Sequence, residues 1–594
     1  MHRWLACTAL VAAVCAAPVQ AQQIDAEEFV LDNGMKFILY PRTEEPNIIA
    51  AGWLAKVGSV NERPGITGIS HFFEHMMFKG TNTIGTRDPE KDRELRMKQK
   101  AVRDKILQLT LTAQYDRWKN GQIDDPWDPA NDTDELAKLR GELNDLMKQH
   151  KDIIVKDEFD KVYSELGGSG MNAFTSYDIT FYFINVPANK FELWAWMESD
   201  RLTDSVFREF YAERDVVHEE RRLRTESTPT GIFQEQFDAM FWQASPYAWP
   251  VIGWTSDLNS YTKEQAEEYF NIYYRPNNLV GVIVGDFKVE EVKPVIERYF
   301  GRLSRGGEVP PVVTLEMKQM AEQRMIAECD CQPQVEVRYK TVPYAHADSY
   351  ALGVMADILN GRSGRLYKSM IEGEKIASSA QAGSGGFFGA AKYAGSFSFA
   401  AETKGDAKPE QLEAAWYREL ERLQKEPVTE RELQKVKNQS AANSYRRLQS
   451  NFFLMVQLGL LENLGRWQYI NEDPAKIQAV TAEDIQRVAN KYFDKTNRSV
   501  GLYYRKAGSE TANEDPEFTK LREKLGPQMA TAFKKQLEMI TKETDSEKLK
   551  QAVSQMNAAI SAGQVPPNMT DAIRYMATKI EQRLTELEKA APKN

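Results

Sequence analysis

The chain has 594 residues, of which 42% are hydrophobic and 27% are charged. This composition is typical of a globular protein with about three or four domains' worth of sequence, and it excludes collagen-like chains, disordered chains and disulfide-rich miniproteins. Acidic residues outnumber basic residues by 86 to 76, which gives a net charge of −10. Because a nucleic-acid-binding protein needs a basic surface to contact phosphates, we expect no nucleic-acid partner.

The first 21 residues have the pattern of a secretory signal peptide. Arg3 is their only charged residue, an apolar run from 4 to 17 follows, and Val19-Gln20-Ala21 resembles a cleavage site. The apolar run is too short to cross a bilayer and no later stretch is long enough, so we expect no membrane span. The sequence therefore predicts an exported protein that is cleaved after Ala21 and is periplasmic in a Gram-negative source.

Few cysteines remain to hold the exported chain together. Cys7 and Cys15 lie in the signal peptide, and only Cys329 and Cys331 are left, separated by one residue. A disulfide across one residue would be strained, and two thiols form an incomplete zinc site. We therefore expect these cysteines to be unpaired or locally paired, and we expect core burial to hold the fold.

Strand and turn patterns alternate at the start of the mature chain. The stretch 29–40 predicts two strands around an Asn33-Gly34 hairpin turn, and 47–57 predicts another strand. Residues 65–78 then have helical spacing, and Lys79-Gly80 is typical of a helix C-terminus.

Residues from about 86 to 163 differ from their surroundings because they are dense in charged side chains. Four leucines at steps of three and four form one helical stripe: Leu136, Leu139, Leu143 and Leu146. A Pro- and Asp-rich break at 124–129 divides the segment. The pattern predicts an antiparallel helical hairpin inserted into a domain, and a solvated spacer is favoured over a substrate-binding arm as its role.

A faint internal repeat predicts two similar domains in tandem. Four residues recur at a constant offset of 219: Thr262, Glu264, Tyr273 and Asn278 return as Thr481, Glu483, Tyr492 and Asn497. Each copy is a predicted helix that leads into a strand. The predicted boundaries are a first domain at 28–303, a Gly- and Pro-containing linker at 304–328, a second domain at 329–507, and a polar helical extension at 508–594.

Candidate metal-binding and catalytic residues are concentrated in one short predicted helix. His71 and His75 are two of only six histidines in the chain, and residues four apart on a helix share a face. Both imidazoles can therefore approach one metal ion, with Glu74 beside them. Zinc bound by two imidazoles and one carboxylate keeps a position for water, whose proton a nearby carboxylate can take. The motif is H-x-x-E-H, the inverse of the commoner H-E-x-x-H.

A third metal ligand is expected from the acidic segment 213–220. On a helix, Glu213 and Glu220 lie two turns apart along one stripe. Spacing alone does not choose between Glu219 and Glu220, and it does not exclude His218. Other acidic residues of this segment are expected to form a solvated helix face with ion pairs.

Five segments between residues 68 and 367 together match the pattern of a known family, and the resemblance as a whole covers about residues 28 to 505. They are Gly68–Thr81, Gly167-Gly168 with Met171–Ser176, Glu213–Glu220, Tyr274–Asp286 and Leu359–Tyr367. In content and order they resemble the pitrilysin (insulinase, M16) family of zinc peptidases. The resemblance is strongest to the branch that includes the mitochondrial processing peptidase β-subunit and bacterial relatives.

The resemblance implies an α+β fold with two homologous domains, each an antiparallel-rich sheet packed with helices. It implies one Zn²⁺ per chain, held by His71, His75 and Glu220. Glu74 would act as the general base, and Glu213 would orient one of the ligands.

The resemblance also implies a substrate-binding strand at Asn172, Ala173 and Phe174. An edge strand of this kind pairs with the backbone of an extended peptide and places few demands on the peptide's sequence. For Phe174, ordinary packing within the strand is an equally good interpretation.

Two features depart from the family pattern. His75 and Glu220 are 145 positions apart, more than is usual, and the inserted hairpin accounts for the excess. Active members also carry an Arg and a Tyr that stabilise the oxyanion, and the matching positions here are Ile371 and Ser378, which cannot replace them. The departure predicts a homologous partner subunit, in a heterodimer or a homo-oligomer, that supplies this pair.

The sequence thus predicts an exported zinc metalloendopeptidase that hydrolyses peptides or unfolded polypeptides through a zinc-activated water. The alternative is a non-catalytic scaffold subunit, as in family members of respiratory complexes. A scaffold has no need of a general base such as Glu74, so the complete set of residues argues against it. A purely structural zinc is a third interpretation, but structural sites usually close all four positions with protein ligands.

Overall fold

A computed structural model of the chain describes residues 23–203, 205–385, 391–506 and, with short gaps, 518–590. The described residues fall into two compact units, one ending at Tyr504 and one beginning at Arg505. The signal peptide predicted at 1–21 lies outside the described residues. The fold is α+β with two sheets, which confirms the predicted fold class.

The first sheet has six strands in the order β1-β2-β6-β3-β5-β4, and all neighbours are antiparallel except β2 and β6. Its strands are β1 (Glu27–Val30), β2 (Lys36–Pro41), β3 (Ile48–Ala55), β4 (Ser169–Thr175), β5 (Thr180–Pro187) and β6 (Leu279–Gly285). Strand β4 is last in the order, and no other described strand pairs with its outer side. It is therefore an open edge.

The helices of the first half of the chain follow or interrupt these strands. They are α1 (Ile69–Met76), α2 (Pro89–Leu109), α3 (Tyr115–Lys119), α4 (Asp134–Lys151), α5 (Glu158–Glu165), α6 (Phe191–Thr203), α7 (Phe210–Arg221), α8 (Gly231–Phe241), α9 (Thr255–Ser260), α10 (Lys263–Tyr273) and α11 (Val289–Phe300). Helices α1, α6, α10 and α11 bury their apolar side chains against one face of the first sheet, around Trp53 and Tyr182.

The turn between β1 and β2 forms at the predicted Asn-Gly pair. Gly34 has a φ of 91°, a conformation that favours glycine. The Asn33 amide donates to the backbone oxygens of Phe300 and Leu303, at 2.8 and 3.0 Å. Asn33 thus fastens the turn to the end of α11.

The second sheet has five strands in the order β7-β11-β8-β10-β9. Its strands are β7 (Gln323–Cys329), β8 (Gln334–Thr341), β9 (Ala377–Gly383), β10 (Gly395–Thr403) and β11 (Arg498–Arg505). Strand β7 starts inside the stretch 304–328 that the sequence assigned to a linker. A disulfide joins Cys329 to Cys331 just after this strand, so the cysteines are locally paired.

The helices of the second half are α12 (Asp348–Leu359), α13 (Pro409–Lys425), α14 (Glu430–Arg447), α15 (Asn451–Leu464), α16 (Tyr469–Ala479) and α17 (Ala482–Tyr492). Helices α12, α13 and α17 build a core with the second sheet, in which Trp416 stacks on Phe399 with ring centroids 4.8 Å apart.

Helix α15 covers the other face of the first sheet, although the sequence assigned 329–507 to the second domain. Every residue of Leu454–Leu464 is buried, and the helix packs against Ala50, Leu54 and Val282. Both faces of the central strands are apolar, and such a sheet needs helices on both sides. The second half of the chain thus completes the core of the first.

The internal repeat corresponds to equivalent elements in the two sheets. Helix α10 leads into β6, and α17 leads into β11. Thr262 and Thr481 each accept a hydrogen bond from a backbone N–H three residues later, as helix N-caps.

The insertion forms two long helices, α2 and α4, that pack against each other. Gln99 of α2 donates to the backbone oxygen of Leu146 of α4 at 3.2 Å. The two ends of the insertion meet, because Thr86 and Ile154 form an antiparallel bridge. Three leucines of the predicted stripe are buried and the fourth is half-buried: Leu136, Leu143, Leu146 and Leu139.

A buried ion pair fastens the insertion to the segment that follows α1. Arg208 is 1% exposed, and its Nε lies 2.7 Å from Oδ1 of Asp92 in α2. Burial alone would raise the pKa of Asp92, but hydrogen bonds from His150 and Arg208 outweigh this effect and lower it. The remaining guanidinium nitrogens donate to the backbone oxygens of Lys79, Thr81 and Ile84.

Replacing Arg208 with Met should destabilise the protein by about 3 kcal/mol, because it leaves the buried Asp92 with Arg96 as its only guanidinium partner among the described residues. It also removes the donor to the buried backbone oxygens around Lys79 and Ile84. Calorimetry should show the first unfolding transition at a lower temperature. Arg298→Met is the matched control, since Arg298 pairs with Glu192 on the surface and should change stability by about 0.5 kcal/mol or less. Equal shifts in the two variants would contradict a structural role for the buried pair.

The second unit has a core of its own. Its helices are α18 (Pro527–Thr541), α19 (Ser546–Ser561) and α20 (Pro567–Ala590), and they lie within the predicted extension at 508–594. The ring of Phe518 lies 6.3 Å from that of Phe533 and 5.8 Å from that of Tyr575. Among all described residues, no helix combines the length and apolar character that crossing a membrane requires.

Candidate metal centre and active site

Helix α1 carries the H-x-x-E-H motif and is fixed at its N-terminus. Gly68, with a φ of 87°, precedes the helix, and a Cβ there would lie 2.4 Å from the backbone oxygen of Ile252. The Glu62 carboxylate accepts hydrogen bonds from the backbone N–H groups of Gly68 and Ser70, each at 2.8 Å. These bonds satisfy two amides that the helix leaves free. Burial nevertheless raises the pKa of Glu62 to about 8.

Two histidines of α1 and one carboxylate of α7 meet at one point. Nε2 of His71 and Nε2 of His75 lie 3.7 and 3.3 Å from Oε2 of Glu220. The three ligand atoms are all within 4.8 Å of one another, and no other three such side chains meet in the described part of the chain. Two imidazole nitrogens and a carboxylate oxygen are a donor set that catalytic zinc takes, so these residues fit that metal.

The electrostatics of the centre favour a cation. Burial and the neighbouring His75 lower the pKa of His71 to about 4, so His71 is neutral at pH 7, as a metal ligand must be. Burial alone would lower the pKa of His75, but hydrogen bonds to Glu213 and Glu220 outweigh it and raise the pKa to about 9. The extra proton on His75 balances these carboxylates, and a metal cation would replace it.

Glu213 contacts the ring nitrogen of His75 that does not face Glu220. Nδ1 of His75 donates to Oε1 of Glu213 at 2.9 Å, which leaves Nε2 directed at Glu220. The other oxygen of Glu213 pairs with Nζ of Lys79, just after α1. Carboxylates in this position fix the orientation of a metal-binding imidazole. No spacing in the sequence indicated Lys79.

The structure separates the ligand candidates that spacing left open. Glu219 points away from the histidines, since its side chain is 62% exposed and pairs with Arg222 at 2.7 Å. His218 is not part of the three-residue group. Glu220 faces His71 and His75, and its second oxygen lies 2.6 Å from Nη1 of Arg224.

The three donors open onto a cavity of about 920 Å³ that Glu74 also lines. Burial raises the pKa of Glu74, against the effect of a hydrogen bond with Thr175 of β4. A half-buried carboxylate with a raised pKa beside a cation site is suited to accept and return a proton.

The edge strand β4 forms one side of this cavity. Asn172, Ala173 and Phe174 all line it. The Phe174 ring also packs against Phe181 and Phe183 of β5, with ring centroids 5.9 and 6.2 Å apart. The residue therefore takes part both in strand packing and in the cavity lining.

The insertion also contributes residues to this cavity. Seven of its residues line the cavity with the histidines: Lys151, Ile154, Val155, Lys156, Asp157, Glu158 and Phe159. From the sequence a solvated spacer was favoured for this segment. The insertion residues begin 80 positions after His71, and only the tertiary fold brings them to the same cavity. No local sequence pattern indicates that they line it.

Two parts of this chain match models of one peptidase family. A family model described as insulinase (peptidase family M16) matches residues 38–93, and one described as peptidase M16 inactive domain matches residues 260–440. The zinc protease PqqE of Helicobacter pylori is 27% identical over 482 residues, which cover 79% of this chain and 90% of that protein. The chain belongs to the M16 peptidase family.

Other relatives agree with this M16 assignment. A protein named uncharacterized zinc protease YmxG, from Bacillus subtilis, is 22% identical over 476 residues, covering 79% of this chain and 95% of that protein. A crystal structure of a protease from Helicobacter pylori has a TM-score of 0.65 and 24% identity, and it covers 81% of this chain and 99% of that one. The solved structure supports the two-domain M16 fold.

In this M16 chain, the two positions that match the Arg and Tyr of active members lie outside the cavity lining. Ile371 packs against the core of the second sheet, and Ser378 is exposed on β9, 3.4 Å from the backbone oxygen of Glu402. Neither residue lines the cavity. The basic side chains that do line it in the described residues are those of Lys79, Lys151, Lys156, Arg208 and Arg224.

Proposed function

We propose that this M16 family member is a zinc metalloendopeptidase that hydrolyses peptides or unfolded polypeptides, exported to the periplasm by the signal at 1–21. One Zn²⁺ per chain is held by His71, His75 and Glu220. The observation that carries the proposal is that these three donors meet within 4.8 Å in a cavity that Glu74 also lines.

When bound, zinc polarises the scissile carbonyl and lowers the pKa of a water molecule toward about 7. Glu74 takes a proton from this water at its carboxylate and returns it to the leaving amine nitrogen. Glu213 keeps the His75 ring in the orientation and tautomer that direct Nε2 at the metal.

In the proposed mechanism, the substrate lies along β4 as an added strand. Asn172, Ala173 and Phe174 lie in a strand whose outer side pairs with no other described strand, and they line the cavity together with the metal ligands. Pairing through the backbone orients the scissile bond and requires an extended peptide, so folded substrates are excluded.

The proposal is tested by measuring zinc content and peptide cleavage in the full mature chain. We expect one zinc per chain, loss of cleavage when a chelator removes the metal, and recovery when zinc is added back. A protein that cleaves at the same rate without metal would contradict the mechanism. A protein that binds no zinc would support the scaffold function.

The proposal includes a homologous partner, either a different chain or a second copy. Because Ile371 and Ser378 cannot stabilise an oxyanion, we expect the isolated chain to cleave peptides slowly. Adding a partner that carries the Arg and Tyr should raise kcat by about 10²-fold or more, the usual effect of an oxyanion donor. Size-exclusion chromatography shows whether the chain is a monomer or part of a complex in each assay. A monomer that cleaves peptides at the same rate as the complex would contradict the requirement for a partner.

A further inference from the structure

The cavity residues contributed by the insertion, Lys151 and 154–159, are named here the insertion wall. Two backbone hydrogen bonds and one from a backbone N–H to a side chain hold this wall in place. Arg87 N–H donates to the oxygen of Ile153 at 2.9 Å, and Val155 N–H donates to the oxygen of Gly85 at 3.1 Å. The Gly85 N–H in turn donates to Glu158 Oε2 at 2.5 Å.

The buried pair of Arg208 and Asp92 anchors the rest of the insertion to the same segment, 79–85. The insertion wall is thus a fixed part of the cavity. The insertion wall and the edge strand β4 line the same cavity, so a peptide paired with β4 would lie in the cavity that the wall lines. Alternate side chains of such a peptide point to opposite sides of the strand.

Most carboxylates of the cavity already have partners. Glu213 contacts His75 and Lys79, and Glu220 contacts both histidines and an arginine. Glu209 lies 3.7 Å from Nζ of Lys79. The acidic groups near the metal donors therefore do not neutralise the cations of the insertion wall.

The two lysines of the insertion wall have little local compensation. Lys151 is exposed, and no carboxylate of the described residues lies within 4.0 Å of its Nζ. Nζ of Lys156 lies 3.9 Å from Oδ2 of Asp157, with side chains 87% and 69% exposed, and a contact this open is weak. Both ammonium groups can pair with a carboxylate of a bound molecule.

We propose that Lys151 and Lys156 select peptides with acidic side chains close to the scissile bond. This inference rests on the proposed peptidase function, because it assigns the substrate class of the same cavity. An acidic substrate side chain is attracted by these ammonium groups and a basic side chain is repelled by them, so we expect the two lysines to affect which peptides bind more than how fast a bound peptide is cleaved.

The test uses three peptides that are identical except for Glu, Gln or Lys at the positions flanking the cleaved bond. Wild type should have a kcat/KM about three to ten times higher for the Glu peptide than for the Gln peptide, mostly through KM. The double variant Lys151→Glu/Lys156→Glu should prefer the Lys peptide, and Asp157→Asn should strengthen the preference for Glu. Lys148→Glu is the matched control, since Lys148 is exposed on the same helix outside the cavity lining and should leave the preference unchanged.

Binding separates this inference from the proposed function. The Glu74→Gln variant, titrated with fluorescently labelled versions of the three peptides, should bind them in the same order. The preference should also shrink when ionic strength rises from about 0.05 to about 0.5 M. If no peptide is cleaved but the binding order holds and inverts in the double lysine variant, the peptidase proposal fails and the insertion wall still binds acidic groups. Equal binding of all three peptides, or an unchanged order in the double variant, overturns the inference.

Discussion

Glu74→Gln should lower kcat for peptide cleavage by about 10²-fold or more while zinc content stays at one per chain. The amide of Gln has the shape of the carboxylate but cannot accept the proton. Glu74 is not one of the three donors that meet within 4.8 Å, so its replacement leaves the metal ligands in place. Steady-state kinetics and metal analysis on the same preparation measure both quantities.

The matched control for Glu74 is Glu219→Gln. Glu219 lies next to a metal donor in sequence, but it is exposed, and its one ion pair among the described residues is with Arg222, so kcat and zinc content should not change. Two results would contradict the role of Glu74. One is cleavage at the wild-type rate, and the other is loss of zinc, which would make Glu74 a ligand.

The H-x-x-E-H helix was the easiest part of the site to predict. His71 and His75 are four residues apart, and a helix of ordinary geometry brings such residues to one face. The third ligand, on α7, was harder to predict, because the candidates His218, Glu219 and Glu220 are consecutive and point in different directions around the helix. Which of them faces the histidines depends on the rotation of α7 against α1, and that rotation is set by tertiary packing.

Residues that support the site from a distance left no local signal. Glu62 binds the first amides of α1, and Arg208 connects the segment after α1 to the insertion. Both contacts depend on loops whose path the sequence does not specify. Lys79 was predicted only as part of a helix end, although it pairs with Glu213.

Elements with a short-range sequence signal were predictable, whereas elements whose position depends on tertiary packing were not. The Asn33-Gly34 turn and the capped helices at Thr262 and Thr481 have short-range signals. Helix α15 has none, because a helix that is apolar on all sides shows no direction in which it must pack. Its place on the first sheet follows from that sheet's second apolar face.

Zinc affinity should distinguish the two cavity-lining carboxylates of α7, Glu213 and Glu220, by their contacts. Glu220→Gln should weaken zinc binding by more than about 10²-fold, because it removes an anionic donor. Glu213→Gln should weaken it by about 10- to 100-fold, the range for residues that orient a ligand. Competition with a chelator of known affinity measures both values. Asp215→Asn is the control, since Asp215 is exposed on the same helix and lies 3.6 Å from Arg214.

The size of the Glu213 effect follows from its two contacts. Its Oε1 accepts the Nδ1 proton of His75 at 2.9 Å, and its other oxygen pairs with Lys79. A Gln at this position can still accept from Nδ1, but it no longer offsets the Lys79 charge, so the cation would bind beside an ammonium group that keeps only the longer contact with Glu209, at 3.7 Å. If Glu213 were itself a ligand, Glu213→Gln and Glu220→Gln would lose zinc to the same extent. If it had no role, its variant would bind zinc as tightly as Asp215→Asn.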